Sequence, residues 1–195
     1  YLRVNLARTT RAQAARLLEH DAILTKPHAL ADTALEVVEN ARRVRQSDAY
    51  INGLVELQDA ASQAVVNAVP LTAGARVLDY CAGGGGKSLA FAARGARVTA
   101  HDANPARMKD IPERAQRAGA RIDMTQTPEG LFDIVVTDVP CSGSGSWRRA
   151  PAGKWSLDRT ALESLLQVQA KILKQAAGHL KPGGVLCYMT CSLLD

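Results

Sequence analysis

Two short segments carry residues able to do covalent chemistry. Cys141 lies in TDVPCSGSG (137–145), three positions behind Asp138, and Cys191 lies in MTCS (189–192). A thiolate is a strong nucleophile, and its addition to an electron-poor ring splits one hard substitution into easier steps. Carbon 5 of cytosine is a poor nucleophile. Thiolate addition at carbon 6 makes it enamine-like and able to take a methyl group. An acid near N3 and the exocyclic amine stabilises the adduct, and a second group must then help remove the carbon 5 proton and free the enzyme. Asp138, Cys141 and Cys191 supply these functions in kind. Spacing does not say which thiol attacks.

A lone cysteine is usually a small buried hydrophobe, and that suits Cys187 inside the run VLCYMT (185–190). Two cysteines at the ends of neighbouring strands point instead to function. Cys81 belongs to a glycine loop, as a structural or cofactor-lining residue. The four cysteines form no C-x-x-C pair, so a zinc site is not expected. Reduced thiols fit a cytoplasmic enzyme better than a disulfide scaffold. The scattered histidines His20, His28, His101 and His179 are given no catalytic role.

The glycine loop is 79-DYCAGGGGKSLA-90. Gly86-Lys87-Ser88 match the end of a phosphate-binding P-loop, and FDIVVTD (132–138) imitates the acid-ended strand that accompanies one, but Cys81 stands where the first glycine belongs. G-x-G spacing also admits a nicotinamide dinucleotide. The third ligand is S-adenosylmethionine (SAM). The backbone of Cys81, Ala82, Gly83, Gly84, Gly85, Gly86 and Lys87 at a helix start suits a carboxylate. Asp102, 16 positions after Gly86, ends the next strand, where an acid that holds ribose hydroxyls is expected. A plain turn does not need four successive glycines, given their entropic cost. The loop favours SAM and leaves the other readings open.

The elements that must position these residues follow from periodicity. From about Gly74, strands are expected over 75–80, 96–102, 120–126, 132–138 and 185–190. Helices are expected over 87–95, over 104–119 with a kink at Pro112, and from Asp158 with Leu162, Leu165, Leu166, Ile172, Leu173 and Ala176 on one face. Lys181-Pro182-Gly183-Gly184 reads as that helix's stop, and 140–157 as a long polar loop. The alternation predicts an α/β domain with a doubly wound, mostly parallel sheet. Its ligands bind at the carboxyl ends of the strands, so the loop, Asp102, Asp138 and both cysteines share one crevice. Residues 1–73 read as a small α+β region, with strands LRVN (2–5) and GLVELQ (53–58), a helix in TTRAQAARLLEHD and another from Asp59 to about Val69.

Composition sets the outer bounds. Of 195 residues, 47% are hydrophobic but only 4% aromatic, so the core is aliphatic. The net charge of +5 permits a polyanionic partner without proving one. No apolar run is long enough to span a membrane, and the N-terminal stretch lacks the apolar core of a secretory signal.

Taken in order, LRVN (2–5), ELQDAASQ (56–63), VLDYCAGGGGKS (77–88), Asp102, FDIVVTDVPCSGSG (132–145), RRAPAGKW (148–155) and LKPGGVLCYMTCS (180–192) resemble the RNA cytosine-5 methyltransferases of the NOL1/NOP2/Sun (RsmB-like) family. The resemblance implies a Rossmann-like SAM-dependent domain over 74–195 behind an RNA-binding α+β region over 1–73. It implies methylation of carbon 5 of an unpaired or flipped cytosine, in ribosomal RNA on the RsmB-like likeness. By motif, Cys191 is the nucleophile, Cys141 assists product release, and Asp138 bonds the cytosine edge close to the SAM methyl group. The loop 81–87 and Asp102 hold SAM. DNA cytosine methyltransferases use the P-C cysteine as nucleophile instead.

Within 140–157, Arg148, Arg149 and Lys154 are expected to grip RNA phosphates and Trp147 or Trp155 to stack on a base, against the plainer reading of a solvated loop anchored by Trp155. Arg3, Arg8, Arg11 and Arg16, like Arg42, Arg43 and Arg45, fit a solvated face as well as an RNA contact. Three features depart from the family. Gly84 replaces a proline, Thr127 stands where an acid usually ends the third strand, and the family continues with further strands beyond Asp195. These keep two other classes in view: a nucleotide hydrolase, and a non-catalytic RNA-binding or assembly factor with the same fold.

Overall fold

In the computed structural model, which describes residues 1–194, the N-terminal part holds β1 (Leu2–Val4), α1 (Arg11–His20), β2 (Thr25–Pro27), β3 (Ala34–Val37), α2 (Asp48–Ile51), β4 (Val55–Leu57) and α3 (Ala60–Ala68). Its strands form an antiparallel sheet in the order β2-β3-β1-β4. Two of the four, β2 and β3, were not expected from sequence. A capping box between Thr10 and Gln13 starts α1, which buries Ala14 and Leu18 in a core with Leu2, Leu35 and Val55.

The larger part comprises β5 (Arg76–Asp79), α4 (Gly86–Ala93), β6 (Arg97–Ala100), α5 (Ile111–Ala118), β7 (Ile122–Met124), β8 (Phe132–Asp138), α6 (Ala152–Ser156), α7 (Arg159–Ala177) and β9 (Leu180–Met189). All its strands are parallel, in the order β7-β6-β5-β8-β9. This is the doubly wound sheet that the alternation predicts. Strand order reverses beside β5, so the carboxyl ends of β5, β6 and β8 border the topological switch point where such sheets bind ligands. The fully buried core between is aliphatic but for Phe91 and Phe132, with half-buried Tyr80 packed against it. Val66 and Val69 join it from the end of α3, while Ala60 at the start of α3 packs with Ala31 and Ala34, so α3 touches both units.

Local expectations are corrected in four places. The 104–119 segment is not one kinked helix but a 3-10 turn (Pro105–Met108) followed by α5, and Pro112 sits in the first turn of α5, where a missing N–H costs nothing. Residues 181–184 do not precede the last strand. They bulge within it, because the register jumps from Phe132↔Leu180 to Ile134↔Val185, and Lys181 Nζ holds the bulge by bonding Asp133 Oδ1 at 2.6 Å. The 140–157 loop contains a 3-10 turn (Ser144–Ser146) and α6. In α7 only Ala176 is buried, against Leu78, Phe132 and Val135, while Leu166 and Leu173 of the expected apolar face are exposed. No helix among the described residues is long and apolar enough to cross a membrane.

Candidate active site

Three acids stand at the ends of three neighbouring strands: Asp102 after β6, Asp79 closing β5, and Asp138 closing β8. Asp102 accepts from the Gly83 N–H (Oδ2, 2.9 Å) and the Asn104 N–H (Oδ1, 2.9 Å), with the Arg107 guanidinium 3.2 Å away. It therefore ties the glycine loop to the second strand of the sheet. Asp138 is bonded by Lys87 Nζ at 2.5 Å, which leaves Lys87 committed to a carboxylate.

Asp79 was not singled out in the sequence, although an acid at the end of the strand before the loop is the same signal as Asp102 and Asp138. Its Oδ2 accepts from the Ser88 hydroxyl at 2.6 Å, and its buried Oδ1 has no partner. Burial pushes this carboxyl up to about 6, against the opposing pull of the Ser88 hydrogen bond and the Lys87 charge. The folded protein then holds a proton on Asp79 that the unfolded chain, with an ordinary value of 3.8, releases earlier. The resulting stability is full below pH 4 and is lost as pH rises to about 6, a change on the order of 3 kcal/mol. Asp79→Asn is expected to abolish that part of the pH dependence. Melting temperatures of wild type and variant, compared from pH 4 to 7, check this.

The loop itself needs its glycines in two places. Gly83 and Gly85 have left-handed backbones, with φ of 49° and 76°, and a Cβ on Gly85 would fall 2.8 Å from Ile111 Cγ1. Gly84 has no such requirement, and its carbonyl accepts from the Arg114 guanidinium. Together these residues enclose a cavity of about 330 Å³ lined by Asp79, Cys81, Gly83, Lys87, Arg107 and Arg114. Burial, reinforced by Asp79 and Asp102, pushes the Cys81 thiol up to about 12. Cys81 is thus a lining residue with little thiolate character.

The two cysteines expected to share a crevice meet directly: Cys141 Sγ lies 3.3 Å from Cys191 Sγ. The loops after β8 and β9 are zipped together around them. The Gly145 N–H donates to the Cys191 carbonyl (2.8 Å), the Ser142 and Ser192 hydroxyls are 2.7 Å apart, and the Leu193 N–H donates to Ser144 Oγ (2.6 Å). Cys191, Thr190, Lys87, Asp138, Ser62 and Arg149 border an adjoining cavity of about 430 Å³.

The two thiols differ in acidity. Burial raises Cys141, but hydrogen bonds to the Thr190 hydroxyl, the Gly143 backbone and Cys191 outweigh it and bring it below the ordinary thiol value. Cys191 is pushed up to about 11 by burial, by its hydrogen bond with Cys141, and by the charges of Cys141 and Asp138. In this conformation the pair's first thiolate is Cys141. Limited alkylation with iodoacetamide at pH 8, read by peptide mass spectrometry, is therefore expected to modify Cys141 before Cys191. Cys141→Ala is expected to speed modification of Cys191.

The long-loop candidates lie on the rim. Arg148 is exposed, Arg149 forms an ion pair with Asp59, and Lys154 Nζ is 5.5 Å from the centre of the Trp155 ring. Trp155 does not anchor the loop, being 83% exposed; Trp147 does so, with its indole N–H donating to the Ser142 carbonyl at 3.3 Å. Arg3 is not on a solvated face but buried. Thr127 sits in an exposed turn, its N–H bonded to Thr125 Oγ1.

With this geometry in view, comparison with known proteins is specific. A family model described as 16S rRNA methyltransferase RsmB/F matches residues 66–195. Ribosomal RNA small subunit methyltransferase B of Vibrio cholerae serotype O1 is 36% identical over 204 residues, covering 99% of this chain and 47% of that protein. The chain spans about half the length of the curated relatives it matches. The crystal structure of PH0851 aligns with a TM-score of 0.90 at 26% identity, over 99% of this chain and 46% of that one. NSun6 from Pyrococcus horikoshii, solved with SFG, aligns with a TM-score of 0.85 over 99% of this chain and 75% of that one, and at 15% identity it speaks for the fold alone. The chain belongs to the RsmB/F family of 16S rRNA methyltransferases.

Proposed function

We propose that the chain methylates carbon 5 of a cytosine in RNA, ribosomal RNA in particular, with SAM as cofactor. The observation that carries this reading is the thiol pair 3.3 Å apart beside the Lys87–Asp138 pair, with the glycine-loop cavity adjoining. That cavity suits SAM. The unpartnered Asp79 Oδ1 calls for a cationic donor, while Arg107, Arg114 and the backbone of 81–87 favour a carboxylate, and an amino-acid zwitterion carries both charges. Asp102 would hold the ribose. SAM, when bound, supplies the methyl group that carbon 5 takes.

The protein's own groups do the rest. The proton on Cys191 passes through the Cys141 thiolate 3.3 Å away to solvent, which leaves Cys141 deprotonated again. The Cys191 thiolate so formed adds to carbon 6, with Asp138 kept in place by Lys87 to bond the ring edge. After transfer, a Cys141 thiolate withdraws the carbon 5 proton, and the bond between carbon 6 and the Cys191 sulfur breaks with its electron pair returning to sulfur. The neighbouring cavity of about 430 Å³ has room for one unstacked base. Residues 1–73 are assigned as an RNA-binding region and 74–195 as the catalytic unit. Arg148, Arg149 and Lys154 contact phosphates, and the setting is cytoplasmic.

Calorimetric titration of the wild-type chain with SAM, ATP and GTP tests the reading. Saturable binding of SAM alone is expected. Binding of ATP or GTP without SAM would turn the assignment to a nucleotide hydrolase, and binding of none of them to an RNA-binding factor.

A further inference from the structure

The middle residue of β1, Arg3, crosses from the antiparallel sheet to the cofactor loop. Only 4% of it is exposed. Its Nη1 donates to the Gly86 carbonyl at 2.7 Å and to Gln58 Oε1 at 2.8 Å, and Gln58 Nε2 donates to the same Gly86 carbonyl at 3.1 Å. Gly86 is the first residue of α4. A second grip comes from β4. Glu56 holds Arg117 at 2.8 Å and Arg114 at 3.3 Å, and Arg114 donates to the Gly84 carbonyl. Two carbonyls of the glycine loop are thus held through residues of one distant sheet. Leu57, Gln58 and Ser62 line the same cavity as Asp79 and Lys87.

Packing alone does not account for Arg3. Burial lowers its pKa to about 10, and its Nε has no partner. An apolar side chain would fill that space without the desolvation cost of a guanidinium. The loop, in contrast, has a need. Four consecutive glycines are the least ordered backbone available, and N–H groups bind a carboxylate well only if they are held in place beforehand.

We infer that Arg3, with Gln58 and the Glu56–Arg114 pair, positions the glycine loop, so that the N-terminal sheet is a wall of the cofactor cavity and sets cofactor affinity apart from any contact with RNA. This rests on reading the cavity as a SAM site. Arg3 is a positioning residue, since it acts through the Gly86 carbonyl.

The test uses the full chain as wild type, Arg3→Met, Arg3→Lys and Gln58→Leu. Three quantities are read: amide hydrogen exchange of residues 83–89 without ligand, affinity for S-adenosylhomocysteine, and affinity for a ribosomal RNA fragment. Arg3→Met is expected to speed exchange across 83–89 and to weaken S-adenosylhomocysteine about tenfold or more, as loss of charge-assisted hydrogen bonds does, with RNA affinity unchanged. Arg3→Lys should recover part of the loss, and Gln58→Leu should shift both loop readouts the same way by less. Should Arg3→Met not fold, Gln58→Leu decides. Unaltered loop exchange and ligand affinity in folded variants overturn the inference, and so does RNA affinity falling in step with ligand affinity. If wild type binds no S-adenosylhomocysteine, the cofactor reading fails instead, while the exchange data still judge the grip on the loop.

Discussion

Cys191→Ala abolishes methyl transfer to RNA, lowering the rate by roughly 10⁴-fold or more, the scale on which loss of a covalent nucleophile falls. Its affinity for SAM is unchanged, because Cys191 does not line the glycine-loop cavity. Cys141→Ala stops the reaction later. With no thiolate 3.3 Å from Cys191 to take the carbon 5 proton, the methylated base stays bonded to the enzyme, and a protein–RNA adduct accumulates that resists denaturing gels. The contrast matters because Cys141 is the more acidic thiol of the resting pair. Single-turnover rates of both variants, with gels run beside them, separate the roles. An active Cys191→Ala that forms an adduct would assign the attack to Cys141.

Gly145→Ala slows transfer by roughly 10²-fold, the cost of misplacing a reacting group by about 1 Å. The backbone at 145 approaches the 190–194 segment closely. Its N–H bonds the Cys191 carbonyl at 2.8 Å, and a Cβ there would lie 2.7 Å from that same oxygen. A methyl group must therefore push Cys191 away from Cys141 and Asp138. Cofactor affinity and melting temperature should hardly move, since Gly145 is exposed and outside the cofactor cavity. A normal single-turnover rate with a normal adduct would show that the zipper between the two loops does not set the position of Cys191.

The parallel sheet was legible because its strands are apolar runs separated by helices with clear starts and stops, such as Asp158 and Gly119. From that, the rule that ligands gather at strand carboxyl ends was enough to expect the contacts of Asp102 with Gly83, of Asp138 with Lys87 and of Cys141 with Cys191, though Cys141 faces a separate cavity and Asp102 is buried. The antiparallel sheet was half hidden. Thr25–Pro27 offers three residues, one of them proline, and no alternation to read. Arg3 was indistinguishable from its neighbours Arg8 and Arg11 as one of a run of basic residues, because its partner, the Gly86 carbonyl, lies 83 positions away. Arg114 reaches the Gly84 carbonyl across 30 positions and was hidden for the same reason. The acidity order of the two thiols depends on the Thr190 hydroxyl and the Gly143 backbone, which only the folded loops bring to Cys141.

The most direct test of the central claim is transfer of a labelled methyl group from SAM to unmodified ribosomal RNA, with the product digested to nucleosides. The account predicts label in 5-methylcytidine for wild type, none for Cys191→Ala, and a labelled protein–RNA adduct for Cys141→Ala. Label in any other nucleoside, or an unlabelled RNA with a wild-type chain that binds SAM, would contradict it.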